Sequence, residues 1–146
     1  MTYLEFLIIF VSLPLLVSLC AKKLLTKANK SERLPIAMMA FVALVYTTPW
    51  DNYLIMRGVW TYPTGAVVGV LGYVPIEEYF FMVLQATLAG VLWTSWVPHS
   101  QCTKLRFSYT GLFMALLVGL VGALSLMHTA GTYIGLILVW ACPPLA

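Results

Sequence analysis

Five apolar stretches alternate with short polar connectors along the chain. They run roughly over Leu4–Ala21, Pro35–Ile55, Glu78–Val97, Phe107–Met127 and Gly131–Ala146. A membrane-spanning helix needs about 20 mostly apolar residues, within a range of about 17–25. Each stretch meets or nearly meets that length. The pattern predicts an all-α integral membrane protein, a bundle of about five transmembrane helices.

The polar positions between the stretches set an orientation. Lys22, Lys23, Lys27, Lys30 and Arg33 follow the first apolar stretch, and Lys104 and Arg106 follow the third. A secretory signal peptide carries its positive charge before the apolar run, not after it. Basic loops stay on the cytoplasmic side. The N-terminus is therefore expected outside, with only Arg57 among the basic residues on the outer face. Trp93 and Trp96 then suit an interfacial aromatic belt at the inner end of the third helix.

Composition agrees. Of 146 residues, 62% are hydrophobic and 9% charged, with a mean hydropathy of +0.94. Soluble domains carry about 25% charged residues. The net charge of +3 does not indicate nucleic-acid binding, because topology explains the basic clusters. The cysteines, Cys20, Cys102 and Cys142, are odd in number and form no CxxC pair, so neither a disulfide framework nor a metal site is indicated. The glycines of the 65–72 stretch lead into no Lys-Ser/Thr and no nucleotide-binding unit.

The acidic residues change the picture most. There are five in the whole chain, and three of them border apolar stretches. Asp51 lies in Pro49-Trp50-Asp51-Asn52-Tyr53, and Glu77 and Glu78 lie in Pro75-Ile76-Glu77-Glu78-Tyr79-Phe80-Phe81. Ionisable groups at membrane depth are costly and point to a function. At 1.5 Å per residue, Asp51 sits roughly 24 Å along its helix from Pro35, near the outer interface. All three acids are thus expected on one membrane face. Acids in a first helical turn also complement the helix dipole, which accounts for one Glu but not for an Asp near a helix C-terminus.

Pro75 suits the first turn of the third helix. Glu77 and Glu78 diverge by about 100° around that helix. Glu78 shares its face with Met82 and Gln85, and this face is expected to turn inward. The connector Met56–Val74 holds Trp60, Tyr62, Pro63 and four glycines, and its apolar centre is too short to span. Irregular apolar backbone at membrane depth must be covered or line a cavity, so the connector is expected to fold back as the lid or wall of a pocket. Acid–base work on an apolar substrate is one candidate chemistry. A carboxylic acid would protonate a weak base such as an alkene, and a second carboxylate would take a proton back. Trp50, Tyr53, Trp60 and Tyr62 would face the intermediate cation.

The ordered motifs Pro49-Trp50-Asp51-Asn52, Gly58-Val59-Trp60-Thr61-Tyr62-Pro63 and Pro75-Ile76-Glu77-Glu78-Tyr79-Phe80-Phe81 resemble the membrane-integral lycopene cyclase domain of bacteria, archaea and fungi. The resemblance covers about residues 1–100. It implies a cofactor-independent isomerisation in which the open ψ-end of lycopene, or of a related linear carotenoid, is protonated, closes to a six-membered ring and loses a proton. Carried over, Asp51, Glu77 and Glu78 take the acidic positions. Trp60 and Tyr62 take the aromatic ones, and Trp50, Asn52, Tyr53, Pro75 and Gln85 complete the expected substrate contacts.

Residues 1–100 then form a first cyclase-type unit of three helices. Residues 101–146 begin a second of two helices, without an acidic residue after Glu78. A second cyclase unit or a homo-oligomer is an expected partner, besides the bilayer, and the cell membrane is the expected location. Three alternatives stand beside this: a cyclase of C50 carotenoid ends, a non-catalytic carotenoid-binding or assembly subunit, and half of a proton-coupled transporter. Against the last, the acids cluster at one interface rather than at the midplane. His128, between the fourth and fifth helices, is expected as a solvated loop residue.

Overall fold

A computed structural model describes residues 1–25, 30–96 and 108–145, and for 23–25, 30–32 and 145 it describes the backbone alone. The expected basic loop 98–106, with Cys102, Lys104 and Arg106, lies outside the described residues, as do Lys27 and the start of the fourth helix at Phe107. The chain forms two compact units, Met1–Gln101 and Cys102–Ala146.

Three long helices make the first unit. The first, α1, is α-helical over Tyr3–Leu7, π-helical over Ile8–Ser12 and α-helical again over Leu13–Leu25. The wide turn has a local cause. Pro14 has no N–H and its ring crowds the carbonyl one turn back. Widening there lets Leu13 donate to Ile8 instead. Thr2 and Glu5 close the start of α1 as a capping box. Helix α2 runs over Lys30–Met56 and α3 over Ile76–Trp96.

Three spans, Tyr3–Lys22, Arg33–Met56 and Ile76–Trp96, are long and apolar enough to cross a membrane. Their outward surfaces fit that solvent. Phe10, Leu16, Phe41, Val42 and Phe80 are all exposed. The packed interior is narrow. Leu7, Val11 and Leu15 recur every four residues along α1, so they share one face, and all three are buried. Leu15 packs with Leu88 and Val91 of α3, flanked by Ile36 and Leu84. Gly90 allows α2 and α3 to approach closely, since a Cβ there would stand 2.9 Å from Met39 Cε.

The end of α2 falls one residue beyond the expected stretch: the helix runs past Asp51 to Met56. Gly58 at φ 66° then ends it. Its N–H donates to Ile55 O at 2.9 Å and that of Val59 to Leu54 O at 3.0 Å, the paired bonds of a Schellman cap. Beyond it the connector holds a hairpin that the apolar pattern did not predict. Strands β1 (Val70–Leu71) and β2 (Val74–Pro75) pair antiparallel, with Leu71 opposite Val74. Gly72, at φ 69°, takes the first central position of the two-residue turn, as a II′ turn requires. Pro75 therefore ends a strand rather than opening a helix, and α3 starts at Ile76, whose N–H donates to Gly69 O at 3.0 Å.

The second unit is a pair of shorter apolar helices, α4 (Tyr109–Ser125) and α5 (Thr132–Leu145), joined through a 3-10 turn at Thr129–Gly131. Gly122 and Gly135 lie at their crossing, where a Cβ on Gly122 would meet Leu138 Cβ and Val139 N at 3.0 Å. His128 is exposed at the turn, and its carbonyl accepts from Gly131.

Candidate active site

Glu77 and Glu78 begin at the same place and end in different surroundings. Both lie in the first turn of α3, and their side chains diverge around the helix. Glu77 is 3% exposed. Its Oε1 accepts the backbone N–H of Val68 at 2.6 Å. Its Oε2 is buried without a hydrogen-bond partner among the described residues. Glu78 is half-buried. Its Oε2 accepts two phenol O–H groups, from Tyr3 at 2.5 Å and from Tyr62 at 2.6 Å.

The inward face of α3 is therefore not the one expected. Glu77, Leu88 and Val91 are buried, together with Met82, whereas Gln85 is exposed. Gln85 and Glu78 lie nearly in line along the helix, on a side that turns outward once past the first turn. The hydroxyls of Tyr3 and Tyr62 cover Glu78 where the helix itself does not.

Asp51 reaches the same end of the unit from α2 and is 4% exposed. Pro49, inside that helix, supplies no N–H to the turn before it. The Tyr62 phenol lies within electrostatic reach of both Glu78 and Asp51. Burial pushes its pKa upward, and the hydrogen bond to Glu78 and the charges of Glu78 and Asp51 push it further. Each of these influences disfavours a second negative charge at the site.

The connector folds back over the helix ends. The backbone N–H of Tyr3 donates to Ala66 O at 2.9 Å, so the start of α1 is tied to the connector. Asn52 ties in the hairpin: its Oδ1 accepts the N–H of Tyr73 at 3.0 Å, and its Nδ2 donates to Thr48 O at 2.9 Å. Gly72 leaves the space for this, since a Cβ there would stand 2.6 Å from Asn52 Oδ1. Tyr79 O–H donates to Leu71 O at 2.9 Å from the outer side.

The expected aromatic residues divide into two groups. Tyr62 stacks on Tyr3 at 5.8 Å and 14°. From Tyr3 the rings continue to Phe6 at 6.1 Å, and Phe6 meets Phe10 at 5.3 Å and Phe81 at 6.3 Å. Trp50 lies 5.8 Å from Tyr53, and Arg57 stands 5.9 Å over the Tyr53 ring. Trp60 is half-buried and Pro75 fully buried. Asn52 and Pro75 thus act on the framework, and the Tyr62 hydroxyl acts directly on a carboxylate. Tyr3 was not among the candidates from sequence. Its one signal there is its place at the outer end of the first apolar stretch, the end that topology puts beside Glu78. Among the described residues, no three His, Cys, Asp or Glu side chains are placed to hold a metal ion.

Comparison with known proteins gives this geometry a family. The chain is 39% identical over 149 aligned positions to a lycopene beta-cyclase of Halobacterium salinarum, covering 99% of this chain and 62% of that protein. It is also 39% identical over 125 positions to a bifunctional lycopene cyclase/phytoene synthase of Gibberella fujikuroi, and 35% identical over 123 positions to one of Aspergillus niger. Each alignment covers 77% of this chain and 21% of the fungal protein. The chain belongs to the lycopene cyclase family. It spans about three-fifths of the haloarchaeal cyclase and about a fifth of the fungal bifunctional ones. No family model matches the chain, and no solved structure does. Asp51, Glu77 and Glu78 all lie in the span aligned with the haloarchaeal protein.

Proposed function

We propose that this chain takes part in carotenoid biosynthesis by cyclising the ψ-ends of lycopene to rings, with Asp51, Glu77 and Glu78 as the acid–base groups. The similarity to named lycopene cyclases over 99% of the chain supports the substrate. One observation carries the chemistry: three carboxyl groups gather at one end of a membrane bundle, two of them almost fully buried. The third is held by two phenols.

The reaction needs no electron donor. A carboxylic acid adds a proton to the terminal alkene, leaving a tertiary carbocation. The neighbouring double bond attacks it, one carbon–carbon bond forms, and the positive charge moves into the new ring. A carboxylate then removes a ring proton and the double bond re-forms. One proton enters and one leaves, so the product is an isomer. The ring faces of Trp50, Trp60 and Tyr62 would stabilise the cation, each by about 0.5–2 kcal/mol. The rings of Tyr3, Phe6 and Phe10 run along α1 away from the carboxyls, a surface for the rest of the polyene within the bilayer. A second cyclase unit, or a second copy of this chain, would supply further acidic groups, in the cell membrane.

Expression in lycopene-accumulating cells, alone and with a complementary second unit, tests the proposal by pigment analysis. Cyclic end groups should appear, and Asp51→Asn, Glu77→Gln and Glu78→Gln should each lower them at least about a hundredfold, the lower end of the range of about 10²–10⁴-fold typical for an acid–base group. Rings that persist undiminished in all three variants would sink the assignment.

A further inference from the structure

We propose that Tyr3 is a positioning residue for Glu78, which makes the N-terminal turn of α1 part of the reactive site. A carboxylate on a flexible side chain can rotate, and its two oxygens then exchange places. Here both hydroxyl donors converge on one of them, Oε2. Two donors on a single oxygen fix the plane of the group. They occupy the acceptor capacity of Oε2 and leave Oε1 as the atom that exchanges a proton with substrate.

Tyr62 alone would not fix that plane, because a single hydrogen bond leaves the carboxylate free to rotate about it. Tyr3 comes from a helix that is itself tied down three times. The Thr2–Glu5 capping box closes its first turn. Its backbone N–H is bonded to Ala66 O at 2.9 Å. Its ring stacks on that of Tyr62 at 5.8 Å. The groups bonded to Glu78 are then Tyr3 from α1 and Tyr62 from the connector, with the charge of Asp51 from α2 acting on the Tyr62 phenol. Among them Tyr3 and Tyr62 are the hydroxyl donors. Both reach the carboxylate with charge-assisted hydrogen bonds, which are shorter and stronger than neutral ones.

The proposal rests on the cyclase function only where turnover is measured, so the test has two arms. The first needs no reaction. Infrared difference spectra between the intact protein and Glu78→Gln isolate the carboxyl bands of Glu78. In a Tyr3→Phe background, which keeps the ring stack and removes the hydroxyl, those bands should move and broaden. Bands unchanged by Tyr3→Phe would overturn the proposal. Circular dichroism of the same samples should show unaltered helix content.

The second arm is kinetic. Loss of a hydrogen bond to a charged group should lower kcat for ring formation about tenfold or more, with KM changed less than about twofold. A Tyr3→Phe enzyme with the kcat of the unaltered protein would refute a positioning role. Absence of ring formation by the unaltered protein would count against the cyclase function instead, and the infrared arm would still decide the role of Tyr3.

Discussion

The backbone N–H of Val68 donates to Oε1 of Glu77 at 2.6 Å, joining the connector to a buried carboxylate at the start of α3. This single bond separates two roles of Glu77, one in the framework and one in chemistry. Glutamine keeps a carbonyl oxygen for Val68 and lacks the acid. Alanine lacks both. Glu77→Gln should therefore fold as the native protein does, with the Val68 amide still protected from hydrogen exchange. Glu77→Ala should expose that amide to exchange and lower stability by about 1–3 kcal/mol, the cost of leaving a partly buried donor unsatisfied. Equal exchange at Val68 in both variants would refute the division.

Gly72 and Asn52 lock the hairpin against α2. Gly72→Ala should destabilise for two reasons. A left-handed residue with a Cβ costs roughly 1–2 kcal/mol, and the Cβ would press on Asn52 Oδ1 at 2.6 Å. Asn52→Ala alone should cost about 1 kcal/mol through the lost bond to Tyr73. In the double variant the clash is gone, so the two losses should add to less than their sum. Denaturant titration in detergent measures this cycle, and strict additivity would show that the two residues do not touch.

Tyr62 links stability to alkaline pH. Its ordinary phenol pKa is 10.0, and burial first, then Glu78, raise it in the fold. The unfolded chain therefore releases this proton above about pH 10 while the folded chain keeps it. The folded state then holds more protons, and the free energy of unfolding falls as pH rises. The contribution of Tyr62 is complete below pH 10 and is lost progressively above it. Thermal unfolding at stepped pH should show the native protein losing stability above pH 10 more steeply than Tyr62→Phe. Parallel curves would mean that the phenol is not held neutral by the fold.

Much of this architecture is legible in the chain. Among the described residues, five helices occupy the five apolar stretches, because backbone hydrogen bonds inside lipid can be met only within a helix or a closed barrel. The connector folds back over the helix ends, and the reason is equally general: Glu77, Asn52 and Tyr3 give its backbone groups partners. The hairpin at Val70–Pro75 was not legible. Two strands of two residues each have no periodicity to detect, and only the Gly72 turn marks them.

The inward face of α3 is not legible in the sequence, for a physical reason. In a soluble helix the polar side faces water and the apolar stripe marks the core. A membrane helix is apolar on both sides, and the buried Leu88 and exposed Leu92 look alike in sequence. Gln85 marks a face in the sequence, yet that side chain is exposed. The sequence by itself determined that three acids stand beside membrane-crossing helices, joined by an aromatic connector, since charge and hydropathy are properties of the residues alone. Tertiary structure alone decided that Glu77 is buried on Val68 and Glu78 is gripped by Tyr3 and Tyr62. Hydrogen bonds are directional and short, and these join residues that no spacing along the chain relates.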